Sequence, residues 1–583
     1  MYARTVKIRS TSGTVNEYVR VVEAYREGGK VKQRVVADLG RKDLLVEILP
    51  KLRRLLTGED VSAADGLPEP RVGDASTWGP ILAVRALFDQ LGLWEILDQH
   101  LGQAKEVPFA DRAFVLIANR LISPASEHGL AGWLETDFVC DRQGRRFIPD
   151  WHQRGRVRVH HRQLDAWYRT LDQLHAAKEK IEVALYHRLR DLFSLKPDLV
   201  FYDITSSYFE GAGPQDFAKH GYSRDGKSQN VQVIIGVVMV AGWPIAHHVW
   251  AGNRVDHSTV QETISDLQER FKFGRLIFVG DRGMVTDENI ESITKSEHGY
   301  LVGIKRRRNV KLDAWLDAVD ETKWIDCPGG INVQERKKDA PRTRAQEIAT
   351  GDPHQRVIVI DSDERRGYEQ AKREQAMERA RQKLEKLKER VASGELKQPQ
   401  KIGAAVERIL QKYHGYRYFD WKLKDGTLEY FESAARLGRE KKIEGRYVIA
   451  TSEKDLGVLE AVAKYKELAD VESGFRQLKD VMAMRPIYHR IEPRVKAHIF
   501  VAALALLLQR LLERRLVRAK VAMSAAEAMQ ALETIRVVQF HLAGQAPRQG
   551  VSTGSPRARQ VLKALDVRQL RPPTPAGPET EVS

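Results

Sequence analysis

Three carboxylates, Asp203, Asp281 and Glu472, stand at positions where acids need a chemical reason. Asp203 closes the apolar run Leu199-Val200-Phe201-Tyr202 and precedes a Thr-Ser-Ser run. The β-branched and aromatic content predicts a strand covered on both faces. An acid in such a run is costly unless it is paired or holds a cation. Asp281 ends a second run of the same kind, Arg275 to Asp281. Glu472 falls on a predicted helix from about Leu456 to Met482, where positions 465, 468, 472, 475 and 479 share one face. Taken singly, Asp203 reads equally well as a turn cap. Two acids at neighbouring strand ends and a third on a helix can together bind two divalent cations. Such pairs, about 3.5–4 Å apart, clamp the attacking and leaving oxygens of an in-line phosphoryl displacement. Hard oxygen ligands select Mg²⁺ or Mn²⁺.

The elements that must carry these acids follow a recognisable order. After the Asp203 strand comes a basic turn, Gly221 to Lys227, then strands Val231–Val240 and Ile245–Trp250. Asp256 or Ser258 caps the next helix, so Asp256 reads as structural. The Asp281 strand completes a β-β-β-α-β series, and a helix from about Thr286 and the strand Tyr300–Ile304 follow. The following span, 305–445, reads as an insertion. It opens on Arg306 and Arg307 and contains a weak strand, Arg356–Ile360. Its charged helix has Met377, Ala380, Leu384, Leu387 and Val391 at seam spacing, and a hairpin turns at Asp425-Gly426. Trp324 and Trp421 in this span read as core residues or as platforms for an unpaired base.

Ahead of this core, residues 1–65 predict a basic β-hairpin region turned at Glu27-Gly28-Gly29-Lys30. Residues 75–195 read as helical. Within them a loop interleaves aromatic residues with cations, including Arg142, Arg145, Phe147, Trp151, Arg154, Arg156 and Arg158. That pattern suits nucleic acid; a solvated charged loop is the alternative. The core then spans 196–304 and 446–545, and a Pro-, Ser- and Arg-rich tail, 546–583, reads as partly disordered.

The totals narrow the partners. The 583 residues carry 95 Lys and Arg against 79 Asp and Glu, a net charge of +16 that favours a polyanion, nucleic acid before membrane. Two distant cysteines, Cys140 and Cys327, form neither a disulfide framework nor a zinc motif, which fits a reducing cytoplasm. No apolar leader opens the sequence, and the run Ile499–Leu508 is too short to span a bilayer, so a core helix is expected there and no membrane partner.

The motifs FYDITSSYFEG, GNRVDHST, FVGDRGM, YKELADVESGFRQLK and RPIYHR together resemble those of bacterial insertion-sequence transposases of the DDE class. The resemblance covers most of 195–515 and implies an RNase H-like mixed α/β catalytic core interrupted by an insertion. It implies Asp203, Asp281 and Glu472 as catalytic and metal-holding residues, with two Mg²⁺ or Mn²⁺ ions. A Tyr-x2-Arg-x3-Glu-x6-Lys signature of one branch maps onto Tyr465, Glu472 and Lys479. Leu468 occupies its Arg position, and Arg476 could supply a substitute. Tyr465, Arg476, Lys479, Arg154, Arg156, Arg158, Arg306 and Arg307 are therefore the expected DNA-binding residues. The implied partners are double-stranded DNA, as terminal inverted repeats and target, and a second copy in a synaptic homodimer. The implied location is the cytoplasm, with the nucleoid. A nuclease of the same fold without strand transfer, and an inactive DNA-binding repressor, remain alternatives.

Overall fold

The computed structural model describes residues 1–9, 15–28, 30–57, 71–104, 106–148, 158–195, 198–254, 256–281, 286–304, 311–327, 341–352, 354–541 and 548–574. Two compact units emerge, one of Met1–Ala75 with Val538–Gly550, the other of Ser76–Val537 with Val551–Ser583. In the first, β1 (Tyr2–Arg9), β2 (Val15–Glu27) and β3 (Lys30–Arg41) form an antiparallel sheet followed by α1 (Lys42–Thr57). The expected hairpin thus gains a third strand. Strand β4 (Arg71–Thr77) follows.

The second unit begins with α2 (Gly79–Leu91), α3 (Leu93–His100), α4 (Phe109–Ile122), α5 (Leu130–Thr136) and the long α6 (Arg158–Phe193). Ile81, Val84, Leu87, Phe88 and Leu91 are all buried, as their 3.6-residue spacing predicts. The sheet strands come next: β5 (Leu199–Tyr208), β6 (Gln232–Val240) and β7 (Trp243–Ala251). Helix α7 (Asp256–Phe271), β8 (Ile277–Gly280), α8 (Asp287–Lys295) and β9 (Gly299–Gly303) complete the series. The order β7-β6-β5-β8-β9, with β5, β8 and β9 parallel, β6 antiparallel to β5 and β7 antiparallel to β6, is the RNase H-like mixed sheet.

The sheet does not stop at β9. After α9 (Leu312–Asp317) come β10 (Ile325–Asp326), β11 (Thr343–Ile348) and β12 (Arg356–Ser362). With the later β15 (Arg446–Thr451) they extend it to nine strands in the order β10-β11-β12-β15-β9-β8-β5-β6-β7. Residues 357–360, expected as a weak strand of an inserted domain, are fully buried in this shared sheet. A fold boundary at 305 is therefore corrected: the separate body begins only after Ser362. Short strands split by charged loops hid their common sheet.

That body consists of α10 (Asp363–Ala392), α11 (Pro399–Lys412), the hairpin β13 (Phe419–Lys424) and β14 (Thr427–Glu432), and α12 (Ala434–Ile443). The seam residues Met377, Ala380, Leu384, Leu387 and Val391 bury against Ile402, Val406, Leu410, Phe419 and Leu428 in a core of their own. Asp425 and Gly426 both take positive φ, as a tight two-residue hairpin requires.

Returning to the sheet, the chain forms α13 (Val458–Lys466), α14 (Leu468–Arg476) and α15 (Glu492–Arg518). Helix α15 is long and apolar enough to cross a membrane, but its apolar window is 83% buried inside the protein, packed on α6 and α4. Beyond α16 (Ala525–Leu532), α17 (Pro556–Ala564) buries Ala558, Val561 and Leu562. The expected disorder of the tail is thus corrected over 548–574; the i, i+3, i+4 apolar pattern outweighs the Pro and Arg content around it.

Candidate active site

The register of two parallel strands aligns the first two acids. On β5 and β8, Leu199 pairs with Ile277, Val200 with Phe278 and Phe201 with Val279. Asp203 and Asp281 each lie two residues further on, so they leave adjacent strands at one level. Adjacent strands run about 4.8 Å apart. Asp203 Oδ1 accepts the Ile204 amide at 2.8 Å. Burial pushes the Asp203 carboxyl up to about 7; the charges of Asp281 and Glu472 push the same way, while that amide and Arg224 oppose them. Both other acids therefore act on Asp203 through space.

Glu472 arrives on α14, which packs on β5. The helix expected to run unbroken from Leu456 to Met482 divides at Glu467 and passes into a π-helical turn at Gln477–Val481. A π turn adds a residue to the helical repeat, so side chains beyond 477 rotate off the face counted at 3.6. Leu468 and Phe475 are buried, while Glu472 and Arg476 are exposed on the helix.

Lys479 turns to Asp225, its Nζ 2.8 Å from Oδ1, and Arg485 Nη1 reaches the same oxygen at 2.5 Å. Burial pushes the Lys479 amine down and Asp225 counters it. Arg224 and Asp225 belong to the turn Gly221 to Lys227, which charge and glycine content marked only as a basic loop. Their role was missed because the partner cations lie over 250 residues away in sequence.

Asp281 and Glu472 line one cleft of about 490 Å³ together with Tyr465, Tyr447, Arg365 and Tyr368. Tyr465 packs on Tyr447, ring centroids 6.2 Å apart. Arg365, Tyr368 and Tyr447 come from the span read as an insertion or its border, and no motif singled them out. Once β12 joins the sheet, the start of α10 necessarily faces the acids.

The segment after α14 is held by a buried cluster. Arg120 donates to the carbonyl of Ala483 at 3.2 Å and lies 3.4 Å from His498 Nδ1, whose other ring nitrogen faces the Met484 carbonyl at 3.2 Å. Glu127 lies 3.6 Å from His489. Burial alone would raise the Glu127 carboxyl, but the hydrogen bond and charge of His489, with His498 and Arg120, hold it at about 2. Glu127, His489 and His498 are close enough to hold a metal ion. Both nitrogens of His498 are already engaged, and a guanidinium adjoins them, so the cluster is a structural clamp.

The remaining expected DNA contacts separate into two groups. Arg154, Arg156, Arg306 and Arg307 lie outside the described residues, as does the side chain of Arg158, whose backbone opens α6. Neighbouring arginines of the same basic loop serve the fold. Arg142 bridges Asp98 and Asp111, and Arg145 pairs with Asp141 at 2.7 Å. Arg344 lies over Trp324, its guanidinium carbon 4.7 Å from the ring centroid, and Trp421 donates to Glu407 at 3.0 Å. Asp256 starts α7; its side chain is outside the described residues.

Comparison with known families now bears on this geometry. The family model described as a transposase DDE domain matches residues 195–508, and that of the IS1634 family transposase N-terminal domain matches residues 3–66. The chain belongs to the DDE transposase family. It is an insertion-sequence DNA transposase, and all three acids fall within the matched DDE domain. Comparison with curated proteins finds no match. Among solved structures, the transposase is similar to the piggyBac transposase synaptic complex with hairpin DNA, at 8% identity and a TM-score of 0.36, over 79% of this chain and 82% of that one. It is also similar to the Mos1 transposase paired-end complex with the left transposon end, at 12% identity and a TM-score of 0.14, over 34% of this chain and 60% of that one.

Proposed function

We propose that this transposase cuts double-stranded DNA at the terminal inverted repeats of its insertion sequence and joins the freed ends to target DNA. Asp203, Asp281 and Glu472 would hold two Mg²⁺ or Mn²⁺ ions. The observation that carries the reading is the register-matched pair Asp203 and Asp281, with Glu472 on the facing helix and Asp203 pushed up to about 7. A carboxyl whose ionisation is hindered by burial and by two neighbouring acids fits a hard divalent cation, whose charge would relieve it. When bound, such ions supply Lewis-acid stabilisation of charge on the phosphoryl oxygens.

The chain's own residues do the rest. Tyr465, on the wall beside Glu472, would fix a DNA phosphate next to the scissile one, and Arg476 a second one turn on. Lys479 and Arg485 are paired on Asp225, next to Arg224, whose charge acts on Asp203. The attacking group would be water for cleavage and a 3′-hydroxyl for joining. Two copies would synapse the two ends as a homodimer, in the cytoplasm with the nucleoid.

A labelled duplex ending in the element's own terminal repeat, incubated with the transposase, Mg²⁺ and a target plasmid, tests the reading. Joined product that disappears with Asp203→Ala supports it. Cutting without joining would leave a nuclease, and DNA binding without either would leave a repressor. Robust cutting by Asp203→Ala would sink the assignment of the acids.

A further inference from the structure

Tyr368 borders two clefts. One is the cleft of Asp281 and Glu472; the other, of about 500 Å³, runs between α10 and the end of α11. Along α10, Arg365, Tyr368, Lys372, Gln375 and Arg379 step by 3, 4, 3 and 4 residues, so they share one face. Lys412 and His414 supply the opposite wall of the second cleft.

Arginines on the other faces of α10 are ion-paired. Arg373 pairs with Glu444 at 2.6 Å, Arg381 with Glu432 at 2.8 Å and Arg390 with Glu395 at 2.7 Å. Among the described residues, no ion pair involves Lys372, Arg379 or Lys412, and all three are exposed. The acid in their cleft, Glu369, is turned onto Arg365 at 3.0 Å and the Gly445 amide at 3.1 Å. Aromatic rings accompany the cations. Lys372 Nζ lies 5.0 Å over the Tyr368 ring and Lys412 Nζ 5.7 Å over that of Tyr413, and Tyr368 is 61% exposed. Cations without an ion pair, set beside the exposed ring of Tyr368 and the half-buried ring of Tyr413, fit a nucleic-acid backbone with a base against Tyr368.

We infer that this face of α10, with Lys412, is the track along which DNA leaves the three acids, its phosphates on Lys372, Arg379 and Lys412. The inference rests on the proposed reading of the acid cleft and adds where the DNA goes. From Arg365 to Arg379 the face measures about 21 Å at 1.5 Å per residue. That is about six nucleotides of one strand at 3.4 Å each. Continuity with the acid cleft favours DNA over an acidic protein, because the track starts where the scissile phosphate would lie.

The test replaces the three cations together, Lys372→Gln, Arg379→Gln and Lys412→Gln, in the full chain. A control triple, Arg518→Gln, Lys563→Gln and Arg571→Gln, removes the same charge elsewhere. Binding to a terminal-repeat duplex is measured against salt, with Ca²⁺ in place of Mg²⁺. Each lost phosphate contact lowers the slope of log K against log salt by about 0.9. The track triple should therefore lower it by two to three and weaken binding about tenfold or more at low salt. The control should leave the slope nearly unchanged. Equal slopes for wild type and track triple, or an equal loss in both triples, would overturn the track. Mg²⁺-dependent cutting by the wild type and by Asp203→Ala, run in parallel, keeps the two failures apart. Cutting that needs the acids with an unaltered slope removes the track alone; cutting without Asp203 removes the catalytic reading.

Discussion

Asp203 and Asp281 stand two residues beyond the Phe201–Val279 pair on adjacent parallel strands, at one level of the sheet. Neither helix nor loop need move to bring these carboxylates together; the hydrogen-bond register does it. The consequence is electrostatic. A partly buried Asp203 faces two other acids and holds its proton up to about 7.

Such a site should cost stability when no cation fills it. A carboxyl raised from the usual range to about 7 keeps its proton in the folded state where the unfolded chain has lost it. Stability is therefore lost as pH rises from the ordinary carboxylate range to about 7, and stays lost above it. Asp203→Asn should stabilise the cation-free protein at pH 8, on the order of 2 kcal/mol. Mg²⁺ should raise the melting temperature of the wild type and leave that of Asp203→Asn much less changed. Thermal melts of both proteins with Mg²⁺ and with chelator provide the check. A lower melting point for Asp203→Asn under chelation would mean that the acids do not repel.

Acid should act through different groups. Burial, with Arg120 next to it, pushes His498 down to about 3, and burial with Lys178 takes His247 to about 4. The unfolded chain protonates both below about 6.5 while the folded one does not, so stability falls from there downward. Glu127, held at about 2, adds a loss below the usual carboxylate range. Between pH 6.5 and 5.5 the two histidines together should remove at most about 2.7 kcal/mol. Urea unfolding across that interval should show the loss, and His247→Asn and His498→Asn should each make it shallower.

One buried carboxylate ties the helical layer to the sheet. Glu182 of α6 accepts from Lys178, Arg270 and His247, each at 2.8 Å, and from the His247 amide at 3.1 Å. Burial opposes ionisation there, yet Lys178, His247 and Arg270 hold the carboxyl well below its usual value. Glu182→Ala would leave the half-buried Lys178 without a counter-charge, whereas Arg270 keeps Asp266, a loss of about 3 kcal/mol. Glu182→Gln should lose less. Equilibrium denaturation of the two variants distinguishes them; a loss under about 1 kcal/mol for Glu182→Ala would show that water already relieves the cluster.

What the sequence disclosed follows from how local each signal is. The strands under Asp203 and Asp281 were readable because each is one continuous apolar run, and the α10 seam because its 3-4 spacing is sustained over several turns. The joining of β10, β11 and β12 to the core sheet was not, since strand pairing across long separations leaves no mark in composition. The π turn at Gln477–Val481 was equally hidden: nothing in the residue types distinguishes it from α-helix. It is also why a face counted at 3.6 residues per turn sends Lys479 in the wrong direction. Arg365 and Tyr368 entered the cleft wall only through the sheet that places α10 beside the acids.

The partner that the π turn gives Lys479 sharpens its test. On an unbroken helix the amine would lie on the face of Glu472, about 10 Å along the axis. Here it is drawn onto Asp225 at 2.8 Å, with Arg485 on the same oxygen, so both cations are oriented before DNA arrives. Lys479→Ala should slow single-turnover cleavage about 10- to 100-fold, about 1.4–2.7 kcal/mol of barrier, while leaving the Mg²⁺ dependence unchanged. Asp225→Asn should slow it too, because the amine loses its orientation rather than its charge. If the two act as one unit, the double variant will be no slower than Lys479→Ala alone. A wild-type rate for Lys479→Ala at every Mg²⁺ concentration would reduce the pair to a fold-holding ion pair. In that case Lys479→Ala should still unfold more easily, since Asp225 would keep only one of its two cations.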